Sequence, residues 1–316
     1  MVEVTHADLL AAGADPTGID PSTFVLTLRD QEVPLDVTAG IDGSFDPGDV
    51  IRFYGQDPRS EEFWDHVYRL TGGVRAGLRM MTRDVTPDPG ATAPADYTDT
   101  IYREADSLYW ASLPSDVTTA WYWTRVRPPA AGGPTFVEET FDLANVAPGQ
   151  GRTARVEVRI QSRRETPGPS PNHHVIVRLN GNLVDDRTWS GLQTVTMAAD
   201  VPQGWIQEGS NVVRIEKPLD LGLTTEEDWI DWIRLEYRDR FVAEADLLTF
   251  DVESTDARFV TVEGFTGGDV LGYDLADPSA PVLLTGLSVT DVGGSYDVEL
   301  SNAPGTPAGP FLLMRP

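Results

Sequence analysis

From His173 to Tyr237 the chain alternates apolar and polar residues with a period of two, a rhythm a strand can bury on one face and a helix cannot. Val175, Val177 and Leu179 alternate with Ile176, Arg178 and Asn180, and Asn180-Gly181 then supplies two residues that tolerate positive φ. That pattern predicts strand, tight turn, strand. A second alternating run sets Thr194 and Thr196 against Val195 and Met197, and leads through Val201-Pro202 to a turn at Glu208-Gly209-Ser210-Asn211. Val212 to Ile215 is β-branched and strand-like. The last run, Trp229 to Tyr237, sets Ile230, Trp232, Arg234 and Glu236 against Asp231, Ile233, Leu235 and Tyr237. It is amphipathic only in part, so burial on both faces is expected at its start.

The rest of the chain extends the same theme. At 316 residues it is too long for one small core and predicts two or three domains. Turn signals recur throughout, with 29 glycines and 24 prolines, and long 3.6-residue periodicity is rare, which favours stacked β-sheets over α/β layers. One short helix is predicted where Thr5 caps His6 to Ala12 ahead of Gly13. Thr86 to Pro94 reads as a linker, and four short strands with Gly and Asp-Pro turns follow Phe241, closed by a fifth at Phe311 to Met314. The expected architecture is all-β in three parts: an N-terminal β-rich domain over 1–85, a linker over 86–96, an antiparallel jelly-roll β-sandwich over 97–240, and an Ig-like β-sandwich over 241–316.

Charge and residue inventory narrow the chemistry. The formal net charge is −26, so nucleic acid and anionic membranes are not expected partners. No apolar run is long enough to span a membrane, and Met1-Val2-Glu3 opens no signal peptide. The chain has no cysteine, which removes disulfides, thiolate metal sites and any cysteine nucleophile. No Ser/His/Asp order and no phosphate-binding glycine loop is present.

Several segments resemble the non-catalytic N-terminal region of gingipain-type cysteine peptidases. The most specific runs from Ala7 to Gly55, with the core Asp42-Gly43-Ser44-Phe45-Asp46-Pro47-Gly48-Asp49. Trp64 to Met80 is similar to the family's continuation, although Arg69 stands where relatives often carry Trp. Glu104 to Trp110 resembles the opening of the family's jelly roll. The hairpin around Leu179-Asn180-Gly181 and the stretch Asp228-Trp229-Ile230 are similar to its body, and more loosely to galactose-binding-like and carbohydrate-binding jelly rolls. Val260 to Leu284 resembles the module the family places before its catalytic domain. The resemblance implies an extracellular, secreted or cell-surface accessory or prodomain region, not itself an enzyme, whose partner is the peptidase catalytic domain of the same precursor. An inhibitory role would point to an exposed arginine loop such as Arg163-Arg164, because these enzymes favour basic residues before the cleaved bond. The alternative it suggests is a carbohydrate-binding module that takes glycans.

Three sets of residues are candidate sites. A sugar site needs an exposed ring for pyranose C–H edges and amides for hydroxyls, and Trp189, Trp205 and Asn182 supply both from loop-proximal positions. Asp42, Asp46 and Asp49 present hard oxygens in one loop that would suit calcium; the ordinary reading is a turn whose Asp side chains accept neighbouring backbone N–H groups. No other cofactor is expected. Asp185-Asp186 and Glu226-Glu227-Asp228 would make an acid/base pair if they faced each other across a cleft, and with Glu104 and Asp231 a calcium site; a solvated acidic loop is the default. His173 and His174 are adjacent in a strand and must point to opposite faces, so they cannot share one metal ion.

Overall fold

The computed structural model describes all residues except 41, 57–65, 112–118, 166–167, 169, 253–255, 303–304 and 306–308. The start of the Trp64 segment and part of the 163–172 loop therefore lie outside the described residues. The chain divides into two compact units, one of Ala95–Arg240 and one built from Met1–Pro94 together with Phe241–Pro316. Both are made of β-sheet, in keeping with the all-β class the sequence predicts.

In the discontinuous unit, Val2–Thr5 and Asp36–Thr38 flank Val50–Phe53, and Gln31–Val33 and Tyr68–Thr71 flank Val25–Leu28. Phe24, Leu26, Leu35, Phe45, Ile51 and Phe53 form the core between them. The predicted helix is present at His6–Ala11, with Thr5 and Asp8 capping each other's backbone N–H. Where the sequence separates 1–85 from 241–316, the structure joins them. Met81–Asp84 pairs in parallel with Val282–Thr285, as the edge of a sheet whose other strands are Leu271–Asp274, Phe311–Met314 and Leu247–Phe250. A second sheet contains Arg258–Phe265, Tyr296–Asn302 and Ser288–Asp291. Tyr273, fully buried, donates its hydroxyl to Asp36 at 3.2 Å, which ties the two chain segments together.

The Ala95–Arg240 unit is a two-sheet antiparallel sandwich. Its strands, in chain order, are β1 (Tyr97–Glu104), β2 (Leu108–Tyr109), β3 (Trp121–Tyr122), β4 (Thr124–Val126), β5 (Phe136–Leu143), β6 (Thr153–Arg164), β7 (His173–Leu179), β8 (Asn182–Trp189), β9 (Thr194–Pro202), β10 (Gly209–Glu216) and β11 (Glu227–Asp239). One sheet has the order β4-β11-β6-β9, with β1 also paired to β11. The other has the order β5-β10-β7-β8, and β2 and β3 form a separate hairpin.

Alternation puts Val156, Val158 and Ile160 of β6, Val175, Val177 and Leu179 of β7, and Ile230, Ile233 and Leu235 of β11 into one core. Each such side chain stabilises the sandwich by about 1.5–3 kcal/mol relative to exposure. A register shift between Val158 and Ile160 opposite β11 keeps Ile230 and Ile233 both inward although they are three residues apart. The Asn180-Gly181 turn has φ of 48° and 81°, the two positive values a tight hairpin turn of this hand requires.

Candidate functional site

At the end of the sandwich where β6, β7 and β8 meet β11, the inward face changes from apolar to polar. Ser162, His173 and Asp228 occupy positions that alternation reserves for the core, and all three are fully buried. His173 Nδ1 lies 2.7 Å from Asp228 Oδ1, and Lys217 Nζ, from the only lysine in the chain, lies 2.6 Å from Asp228 Oδ2. The His173–Asp228 approach is close but off the hydrogen-bond axis, and among the described residues His173 Nε2 has no hydrogen-bond partner. Trp189, opposite His173 in the β7–β8 register, stacks on the imidazole with ring centroids 5.4 Å apart and planes 6° apart. Its Nε1–H donates to Ser162 Oγ at 2.7 Å.

Asp228 is thus a carboxylate held between an imidazole and an ammonium, in a site from which solvent is excluded. A general base needs a path to its substrate. His173 and Asp228 have none, so the cluster is read as a polar clasp that closes the end of the core.

His174 faces the other way, as strand alternation demands. Its Nδ1 lies 2.8 Å from Asp220 Oδ1 and its Nε2 lies 2.7 Å from Asp186 Oδ1. Burial lowers the His174 pKa, but hydrogen bonds with Asp220 and then Asp186 outweigh it, and the net shift is upward. Asp228 and Asp186 therefore approach consecutive histidines from opposite faces of β7, and the acid/base pair weighed from the sequence is not formed. The physical reason is the two-residue period of the strand.

On the outer face of the same strand ends, Trp110, Tyr122 and Trp229 cluster under the β2–β3 hairpin. Arg163 lies over Trp110 at 4.4 Å and Trp229 at 5.7 Å from the ring centroids. Arg163 belongs to β6 and is spent on this contact, so only Arg164 of the predicted arginine loop is exposed. Glu227, almost fully buried, accepts from Trp229 Nε1 at 2.9 Å and from Arg125 Nη1 at 3.3 Å.

The three sugar-site residues are not gathered in one place. Trp189 is 9% exposed and ends β8, whereas Asn182 begins it, seven residues and roughly 24 Å away at the rise of a strand. Trp205 is half-buried, and its carbonyl accepts from Asn180 Nδ2 at 2.8 Å, beside the turn that carries Asn182. Asn180 Nδ2 also donates to Asn211 Oδ1 at 2.8 Å, and Asn182 Nδ2 donates to the Leu179 carbonyl at 3.3 Å. These amides hold the turn together.

The three loop aspartates behave as turn residues. Asp42 accepts from the Ser44 N–H at 3.1 Å, Asp46 from the Ser44 hydroxyl at 3.3 Å, and Asp49 from the N–H groups of Asp46 and Gly40 at 2.8 and 3.2 Å. Among the described residues no group of three or more His, Cys, Asp or Glu side chains is placed to hold a metal ion. No helix among them is long and apolar enough to cross a membrane.

A separate cleft of about 380 Å³ opens where β4 and β5 diverge, lined by Trp123, Thr124, Val137, Glu139, Ile215 and Ile233 among others. No sequence pattern marks it, because its walls combine the 123–139 stretch with Ile215 and Ile233 from strands much later in the chain.

No protein-family profile matches the chain, and no curated protein matches it. Among solved structures, 99% of the chain superposes on dimeric latent PorU from Porphyromonas gingivalis with a TM-score of 0.66 at 11% identity. The chain spans 30% of that protein's length. A CBM36 carbohydrate-binding module in complex with calcium and xylotriose aligns with 43% of this chain and 98% of its own, at 14% identity and a TM-score of 0.28. A CBM36-1 domain of a xylanase from the hindgut metagenome of Trinervitermes trinervoides gives 13% identity over 43% of this chain and 96% of its own, again at 0.28. The likeness to PorU shows an all-β fold common to this chain and to part of that protein.

Proposed function

We propose that this chain is a non-catalytic accessory or prodomain region of a gingipain-type cysteine peptidase, secreted or at the cell surface, that covers or positions a catalytic domain outside these 316 residues. The observation that supports this reading most is the fold shared with PorU across nearly the whole chain, in a protein described as latent and more than three times as long. Two further observations agree with it. The chain has no cysteine to act as nucleophile, and its buried His173–Asp228–Lys217 cluster is closed to any substrate. The experiment is to mix the purified chain with the gingipain-type catalytic domain encoded in the same precursor. Co-elution on size exclusion together with altered peptidase activity is the expected result. Separate elution with unchanged activity overturns the proposal.

The alternative, a carbohydrate-binding cell-surface module, keeps only Trp205 and the Asn180–Asn182 turn as a contiguous basis, since Trp189 offers no open ring face. A glycan array in which binding survives in wild type and is lost in Trp205→Ala supports it; silence of the wild type removes it.

A further inference from the structure

β5 is the free edge of its sheet: it pairs with β10 along one side, from Phe136↔Glu216 to Leu143↔Gly209, and with no other described strand. Its inward-facing residues are Val137, Glu139, Phe141 and Leu143, and the row is apolar except for Glu139. A carboxylate in that row lies on the floor of the cleft between β5 and β4. Among the described residues no hydrogen bond or ion pair holds it. Glu138, its neighbour, is by contrast tied to Arg214 at 2.9 Å on the outer face. The cation whose charge bears on Glu139 is Arg103; its guanidinium sits over the Phe141 ring at 6.0 Å, and among the described residues it forms no ion pair with the carboxylate. Desolvation in the cleft raises the Glu139 pKa, with Arg103 opposing the shift. An acidic group left unpaired in a cleft, at a cost in desolvation, is a common mark of a binding site.

The shape of the cleft selects the ligand. Its accessible apolar walls are the half-buried Trp123 and Val137, with Ile215 and Ile233 sealed in the core behind them. A long cationic side chain matches both features, with its methylene stem against those walls and its charged head on Glu139. The free edge of β5 presents unpaired backbone N–H and C=O groups beside the cleft, which suits an extended main chain. From this charge complementarity and the adjoining free edge, we propose that the β4–β5 cleft docks an extended basic segment of a partner protein, with one arginine or lysine side chain inserted to meet Glu139.

The probes are acetyl-Val-Arg-Val-amide and its glutamine counterpart, titrated into the full 316-residue chain while the Trp123 indole N–H resonance is followed by NMR. Saturable movement of that resonance with the arginine peptide, at least tenfold weaker with the glutamine peptide and at least tenfold weaker in Glu139→Gln, is the expected result. Glu139→Gln is isosteric and removes a desolvated charge, so its thermal midpoint should equal or exceed that of wild type. That comparison separates lost docking from lost folding. The inference is overturned by no saturable movement of the Trp123 resonance. It is equally overturned by an equal response in Glu139→Gln, or by a response to neutral xylo-oligosaccharides in place of the peptide.

Discussion

Lys217 Nζ sits 2.6 Å from Asp228 Oδ2 with both side chains sealed from solvent, an ion pair formed beside Ser162 and His173 at the polar end of a largely apolar core. Burying two charges is costly, and the attraction between them offsets that cost only while both are present. Asp228→Ala leaves a buried ammonium and a buried imidazole without their carboxylate. The expected loss is about 3–5 kcal/mol, read as a fall in the urea midpoint of the Ala95–Arg240 unit. A loss under about 1 kcal/mol, in the range of an exposed pair, would show that the cluster does not hold this end of the core.

The His174 clamp makes a prediction with a definite sign in pH. Its folded pKa is raised above the ordinary histidine value of 6.5, so the stability it contributes is fully present below that value and is lost as pH rises through the folded pKa. Asp220 runs the other way. Its pKa is lowered from 3.8 by the His174 hydrogen bond, so its share is present above 3.8 and is lost as pH falls through the lowered value. The clamp is complete between those limits. The difference in Tm between wild type and His174→Gln should therefore be largest near pH 5 and shrink as pH rises past 7. A difference that stays constant from pH 5 to 9 would show that the histidine charge plays no part.

Local chemistry was legible in the sequence; its assembly was not. The divergence of His173 and His174 follows from strand alternation, and the hairpin at Asn180-Gly181 from its tolerance of positive φ. The strands Val282–Thr285 and Ser288–Asp291 are not among those the sequence predicts after Phe241; only Pro281 and Thr285-Gly286-Leu287 set them off, without a clean alternation between. The pairing of Met81–Asp84 with Val282–Thr285 joins segments about two hundred residues apart, and no local pattern encodes a partner at that distance. Trp189 looked exposed because turn residues follow it. In the structure it is the last residue of β8 and faces inward, where His173 and Ser162 use both its ring and its N–H. Loop proximity in sequence therefore says little about the side chain of a strand's final residue.

Gly77 offers a test of packing in the discontinuous unit. Its N–H donates to the Ser22 carbonyl at 3.1 Å, and a Cβ at this position would fall inside the van der Waals radius of the Phe24 carbonyl oxygen. The same carbonyl accepts from Arg79 Nη1 at 3.1 Å, while Arg79 Nη2 donates to the Pro21 carbonyl at 2.6 Å, so the backbone of Pro21–Phe24 has little room to retreat. Phe24 is itself buried and packs edge-on against Phe45 with centroids 5.0 Å apart, which carries any displacement into the core. Gly77→Ala should cost about 1–3 kcal/mol, the usual penalty for forcing a methyl group into an occupied site. Gly204→Ala is the contrasting case, because nothing lies within 4 Å of its Cβ position and its φ is not in the left-handed region. There the stiffer unfolded chain should leave stability unchanged or raised by about 0.4–1 kcal/mol. Equal urea midpoints for the two variants would mean that the Phe24 carbonyl yields freely, and that this corner of the fold is not set by the close approach at Gly77.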